Sequence, residues 1–419
     1  MEPSEDEKSN RKVGEMITRN LNCSLTRNGN KGVFGRLDTE NRAIALVDFE
    51  TNSFRSYRLD SGVYRLEDVV VSPDGGRIAY TIFHDESSDE SEIWIMDPDG
   101  LVEFKLKGSV RSITKPQFSP DGTKLLFFAD MRHQYLTPEE ERNFQLYAKS
   151  FAVHELNLSD LSFRLIDLPI LPVPKGCFYT DQGTVVALWM TDVEDPEFSR
   201  LPAECVCGRF KAGGFGGNFW ERNRWRLEQT VGEADIRSDG TSKFKKFEMT
   251  MPEFGSIRDT FWINASPCKN GFLTLPSIWD PSKDPSTNDP SARSYRAVDT
   301  QKRGLAWIIR DGNRKDIELP PEGELLVTAS GSFDQSRILG WPSLSVSDAF
   351  AQSKTRFPWT HTSATGWQRV DLNSKYAPEQ TMDVRPKEAM ALLELPKLID
   401  PNGVGETYET KYLKMVGAR

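Results

Sequence analysis

Histidine titrates nearest neutral pH and is the commonest metal ligand, and this chain has only four: His84, His133, His154 and His361. No two stand two or four residues apart, the spacings at which one strand or one helix turns both rings toward the same ion. His84, His133 and His361 are therefore metal candidates only if the fold assembles them. Each reads first as a surface histidine, His154 reads as structural, and no cofactor is expected. Carboxylates crowd two stretches, Asp85, Glu86, Asp89 and Glu90, then Asp130 and Glu139 to Glu141. Paired acids transfer protons when burial or proximity separates their pKa values; in stretches this polar they read as solvated loops. Five cysteines at irregular positions (Cys23, Cys177, Cys205, Cys207, Cys268) read as reduced thiols, and Cys205-Val206-Cys207 lacks the second pair of a zinc site. Gly213-Gly214-Phe215-Gly216-Gly217 matches a phosphate-cradling loop in glycine content alone, without the closing Lys-Ser/Thr, and reads as a hinge or lid.

Aromatic side chains offer a different chemistry, the enclosure of an apolar ligand. The segments 190–224, 276–304 and 340–366 are long for connections in a compact domain, and they hold or border five of the ten tryptophans: Trp220, Trp225, Trp279, Trp341 and Trp359. Disordered segments are poor in aromatics, so ordered loops are expected. Trp189, Trp279, Trp341 and Trp359, with Arg132 and His361, are the residues expected to line a ligand site. Taken singly, each tryptophan also suits a small core beneath its own loop.

Elements of one kind must carry these loops. Ser72-Pro73-Asp74-Gly75 and Ser119-Pro120-Asp121-Gly122 each sit between apolar stretches, with Pro fixing φ and Gly supplying the positive φ of a tight two-strand connection. Six further hairpins follow the same logic, around Asp48, Asp97, Asn157, Arg237, Arg310 and Asp371, at spacings of 49 to 80 residues. The shortest spacing fits a four-stranded propeller blade, and the longer ones fit the same unit with insertions. Inner strand pairs are expected in 68–83, 116–128, 177–189, 262–275 and 325–340. One blade is expected to draw on both chain ends, residues 32–59 with a strand in 406–416, which would remove free sheet edges.

Phe118-Ser119-Pro120-Asp121-Gly122 with Leu125 to Phe128, and Ile93-Trp94-Ile95-Met96-Asp97-Pro98-Asp99-Gly100, resemble the WD40-like (PD40-type) repeat of TolB-like six-bladed β-propellers. The resemblance is specific over 68–130 and fades after about 190. It implies an all-β, six-bladed propeller with four-stranded antiparallel blades, and it implies no activity, because propellers host unrelated functions. Some TolB-like polysaccharide lyases hold a metal through histidines; that is what the resemblance offers His84, His133 and His361. The same fold occurs in prolyl-oligopeptidase-type enzymes, but no Gly-x-Ser-x-Gly nucleophile elbow follows here. In such blades the a–b and c–d turns share one face of the disc and the b–c connections lie on the other, so the long insertions build up one face.

Net charge of −9 argues against nucleic acid or an anionic membrane as the main partner, and no apolar run approaches the roughly 20 residues of a membrane span. The N-terminal residues show no signal-peptide pattern, so a cytoplasmic monomer is expected. The expected division is a tail over 1–28, the propeller over 29–385, and a closing segment over 386–419. Within the last, Pro386 to Ile399, with Met390, Leu392, Leu393 and Leu395 among helix formers, predicts a short helix. Three functions fit: binding of a ligand or substrate at the loop face, as in a cofactor-independent cyclase or pericyclase acting on an apolar molecule; a protein-interaction platform; or a metal-dependent lyase or hydrolase.

Overall fold

Runs such as Ile78 to Phe83 and Glu92 to Met96 do not alternate, the mark of strands covered on both faces, and every residue of both is buried. The computed structural model describes residues 23–395 apart from 38–41, 61, 85–90, 108–112, 131–150, 167–172, 181–182, 195–224, 237–241, 248–259, 270, 279–304, 310–313, 322–325, 343–357 and 371–379. The strands form six sheets. Blade 1 is β1 (Cys23–Leu25), β2 (Lys31–Leu37), β3 (Arg42–Asp48) and β4 (Ser53–Arg58). Blade 2 is β5 (Arg65–Val71), β6 (Ile78–Phe83), β7 (Glu92–Met96) and β8 (Leu101–Lys107). Blade 3 is β9 (Ile113–Phe118), β10 (Lys124–Asp130), β11 (Phe151–Asn157) and β12 (Phe163–Leu165). Blade 4 is β13 (Val173–Tyr179), β14 (Val185–Glu194), β15 (Trp225–Ile236) and β16 (Ser242–Phe247). Blade 5 is β17 (Thr260–Cys268), β18 (Gly271–Ile278), β19 (Leu305–Ile309) and β20 (Arg314–Ile317). Blade 6 is β21 (Leu326–Gly331), β22 (Arg337–Pro342), β23 (Trp359–Thr362) and β24 (Gly366–Arg369).

Within each blade sequential strands pair antiparallel, and the first strands touch in a closed circle, β1 to β5, β9, β13, β17, β21 and back to β1. Such a circle of inner strands is the geometry of a six-bladed β-propeller. The cores lie between blades: Ile44, Tyr57, Val69 and Tyr80 pack between blades 1 and 2, and Ile93, Ile95, Leu125 and Phe127 between 2 and 3. Each such side chain removed from water contributes about 1.5–3 kcal/mol.

Several expectations need correction. The segment 386–399 does not begin as a helix: β26 (Arg385–Glu394) pairs parallel to β8 as a fifth strand of blade 2, and just before it β25 (Gln380–Asp383) pairs parallel to β4 of blade 1. Open outer edges of two sheets offered backbone partners that outweigh helix propensity. Residues 23–28 are not tail, since β1 is the innermost strand of blade 1. Blade 1 does draw on both chain ends, but its C-terminal strand is β25, added at the outer edge of four N-terminal strands, while 406–416 lie outside the described residues. In blade 6 the last two strands turn at Thr362 to Gly366, which places Trp359 and His361 in a strand, and Asp371 lies outside the described residues. Among the described residues no helix is long and apolar enough to cross a membrane.

Candidate functional site

All six inner strands line one cavity of about 100 Å³ on the axis of the disc. Its far end is bounded by the a–b turns, which repeat one construction. In blade 2 the Ser72 hydroxyl donates to Asp74 at 2.6 Å, the Arg77 N–H donates to the Ser72 oxygen at 2.8 Å, and Gly75 takes φ +77°. Blade 3 repeats this at Ser119, Asp121 and Lys124. Blade 6 does so with Ser332-Phe333-Asp334-Gln335, and blade 1 with Thr26-Arg27-Asn28-Gly29. The second residue of the turn faces the axis, so Arg27, Pro73, Pro120 and Phe333 form the mouth. Backbone bonds join these turns from blade to blade: Lys269 N–H to Phe333 O at 2.7 Å, Asp334 N–H to Arg27 O at 3.3 Å, and Arg27 N–H to Pro73 O at 3.0 Å.

Deeper in, an ion pair spans blades 2 and 3. Asp68 Oδ1 accepts from Lys115 Nζ at 3.0 Å, while Oδ2 accepts from Thr114 Oγ1 at 2.7 Å and from the Lys115 N–H at 3.0 Å. The Asp68 side chain is 3% exposed and that of Lys115 26%, so the ammonium is the partner nearer the lumen. Both residues sit at irregularities of the inner strand, and both have positive φ, +24° and +56°. Non-glycine residues in such regions cost about 1–3 kcal/mol each and gather at functional sites. Burial alone would raise the Asp68 carboxyl; the Lys115 ammonium and the three hydrogen bonds outweigh it and hold it below the ordinary carboxylate value. Burial would likewise lower Lys115, but Asp68 holds it above its ordinary value. Lys115 is thus an ammonium at neutral pH, a donor and not a nucleophile.

The remaining reactive groups on the wall are also quiet. Burial pushes the Cys23 thiol up to about 12, and it donates to Leu339 O at 3.3 Å. Burial raises Cys177 too, with Lys115 opposing it. A thiol held protonated is a poor nucleophile and a poor metal ligand. The Tyr179 hydroxyl donates to Glu155, whose carboxylate also takes Arg164 at 2.8 Å; burial first, then Glu155, raises the phenol.

Of the residues expected to line a site, Trp279, Arg132 and His133 lie outside the described residues. Trp189 is in β14, paired with Pro174 and Thr230, and Trp341 is in β22, opposite Thr328. Trp359 is a buried member of the core between blades 5 and 6, with Arg369 over its ring at 5.1 Å. His361 stands beside Trp367, ring centroids 5.0 Å apart, and burial and then Lys315 lower its pKa. His84 lies on blade 2, 3.4 Å from the Glu92 carboxylate. Trp359, His361 and His84 do not line the cavity, and among the described residues no group of three or more His, Cys, Asp or Glu is placed to hold a metal ion. His84 and His361 belong to different blades, 2 and 6.

Asp68 and Lys115 were missed by reasoning from residue type, although a signal existed. Each stands four residues before the serine of a Ser-Pro-Asp-Gly copy, so superposing the copies sets opposite charges at one position of an inner strand.

No family model matches the chain, and no curated protein matches it. Solved structures with similar folds include oligogalacturonate lyase from Vibrio parahaemolyticus, at 13% identity over 84% of this chain and 78% of that one, TM-score 0.43. The β-propeller domain of the Trilobed protease from Pyrococcus furiosus is 11% identical over 85% of this chain and 98% of that one, TM-score 0.42. TolB from Acinetobacter baumannii is 13% identical over 70% of this chain, TM-score 0.39, and the match spans about half of that protein, 52%. The likeness is one of fold, and the β-propeller is read from this chain's own six sheets and closed circle of inner strands.

Proposed function

We propose that the protein binds a ligand in the central channel, on the side bounded by the a–b turns. The observation that carries this reading is the convergence of all six inner strands on one cavity whose wall holds a buried ion pair on strained backbone. Capture rather than covalent chemistry fits the wall, where the lysine is charged and both thiols are protonated. The cyclase or pericyclase reading rests on tryptophans of the opposite, b–c face; a cavity with charged groups at its heart favours a ligand with a polar end.

A small-molecule library screened by saturation-transfer NMR tests the reading. Bound compounds are expected to compete with one another and to lose their signal in Gln117→Trp, where an indole fills the lumen beside Lys115. Compounds that bind this variant as well as the parent chain would place the site elsewhere.

A further inference from the structure

We infer that the ligand of this channel presents a carboxylate, held between Lys115 inside and Arg27 at the mouth; this rests on the channel reading above. The hydrogen-bonding balance of the wall carries the inference. Among the described residues Asp68 is the only acid on it, and its oxygens already accept three hydrogen bonds from Thr114 and Lys115. Glu67, the next acid, is paired with Arg65 at 3.1 Å. Two cations line the same space. Lys115 has three N–H donors and places one on Asp68. Arg27 has five, gives one to Pro120 O at 3.3 Å, and lies 4.6 Å from the Phe333 ring centroid, so its plane is fixed while N–H groups remain at the edge. A wall with donors to spare and its one acid engaged is complementary to an acceptor-only, anionic group, and in a chain of net charge −9 such a place is the exception. The small volume suits the end of a molecule rather than its body.

Two sources could supply that group, the C-terminus of a peptide or a free organic acid. Isothermal titration of the full chain with glutarate, with N-acetyl-trialanine bearing a free carboxylate, and with the same peptide as its C-terminal amide separates them. Binding of the free-acid peptide but not the amide assigns a peptide terminus; binding of glutarate without the peptide assigns a free acid. In either case Arg27→Gln is expected to weaken binding about tenfold. Lys115→Met alone would strand Asp68 and risk unfolding, so the inner cation is tested in Asp68→Asn/Lys115→Met, which leaves no lone buried charge and is expected to abolish binding. No heat with either acid, or unchanged affinity in both variants, overturns the inference. A neutral or cationic compound whose binding is lost in Gln117→Trp, with both acids inert, overturns it while leaving the channel as the binding place. Acid binding lost in Arg27→Gln but untouched by Gln117→Trp overturns both.

Discussion

Asp68 and Lys115 show how far a repeat can be bent toward a site. The inner-strand positions four residues before Ser72 and Ser119 line the cavity, where an apolar pair would cost nothing in desolvation. This chain sets a carboxylate against an ammonium there, each on a residue with positive φ. Breaking such a pair leaves an uncompensated buried charge, so Asp68→Ala should cost about 3–5 kcal/mol in urea unfolding, whereas Asp68→Asn/Lys115→Met should lie near the parent chain. Additive losses in the double variant would show that the two residues act independently. The pH profile follows from the same pair. Asp68, its pKa lowered in the fold, contributes stability that is present above its ordinary value near 3.9 and lost as pH falls through the lowered one. Lys115, raised in the fold, contributes stability that is present below its ordinary value near 10.4 and lost as pH climbs past it. Unfolding free energy measured across pH should therefore lose part of both its acid and its alkaline limb in the double variant.

At the scale of elements, the turn construction outlasts its own sequence signature. Ser-Pro-Asp-Gly was legible because proline and glycine announce a turn, yet what builds the turn is a hydroxyl at the first position and a side-chain oxygen at the third. Those survive in Thr26-Arg27-Asn28-Gly29 and Ser332-Phe333-Asp334-Gln335, where the announcing residues have gone in whole or in part. The loss of proline at the second position is also what puts Arg27 and Phe333 at the mouth, so the copies hardest to read are the ones that shape the site. The C-terminal segment was misread for a related reason: its helix formers state a local preference, whereas the strand is imposed by the free edges of β4 and β8. Its side chains report that pairing. Leu395, 3% exposed, enters the core between blades 2 and 3, while Leu392 on the same segment is 70% exposed. Leu395→Ala should cost about 2–5 kcal/mol and Leu392→Ala no more than about 0.5, read from urea midpoints. Equal costs would mean that the segment does not dock in this register.

For the molecule as a whole, the consequential feature is how the ring closes. C-terminal β25 joins blade 1 by a backbone ladder at its outer edge, whereas toward the axis the first and last blades meet side by side. Their seam holds the Cys23 thiol on Leu339 O, the Arg337 guanidinium 4.3 Å from the Phe49 ring centroid, and the Ser336 hydroxyl on Asn28 O at 3.4 Å. β25 and β26 then pair on the outer edges of blades 1 and 2, so the C-terminal segment links those two blades from outside. Close approach at the seam depends on Gly29, where an added Cβ would lie 2.9 Å from Arg337 Cβ and 3.1 Å from Ser332 Cβ, at φ +70°. Gly183, in the equivalent turn of blade 4, has φ +78° and nothing within 4 Å of that position. Gly29→Ala and Gly183→Ala therefore carry the same backbone strain, roughly 1 kcal/mol, and only the first adds a steric clash worth about 1–3 kcal/mol more. Hydrogen exchange in Gly29→Ala should accelerate in β1, β21 and β22 ahead of the other blades, because opening would begin at the junction the added Cβ pushes apart. Matching costs for the two substitutions, or exchange that rises evenly around the ring, would mean that the first and last blades are joined no more weakly than any other pair.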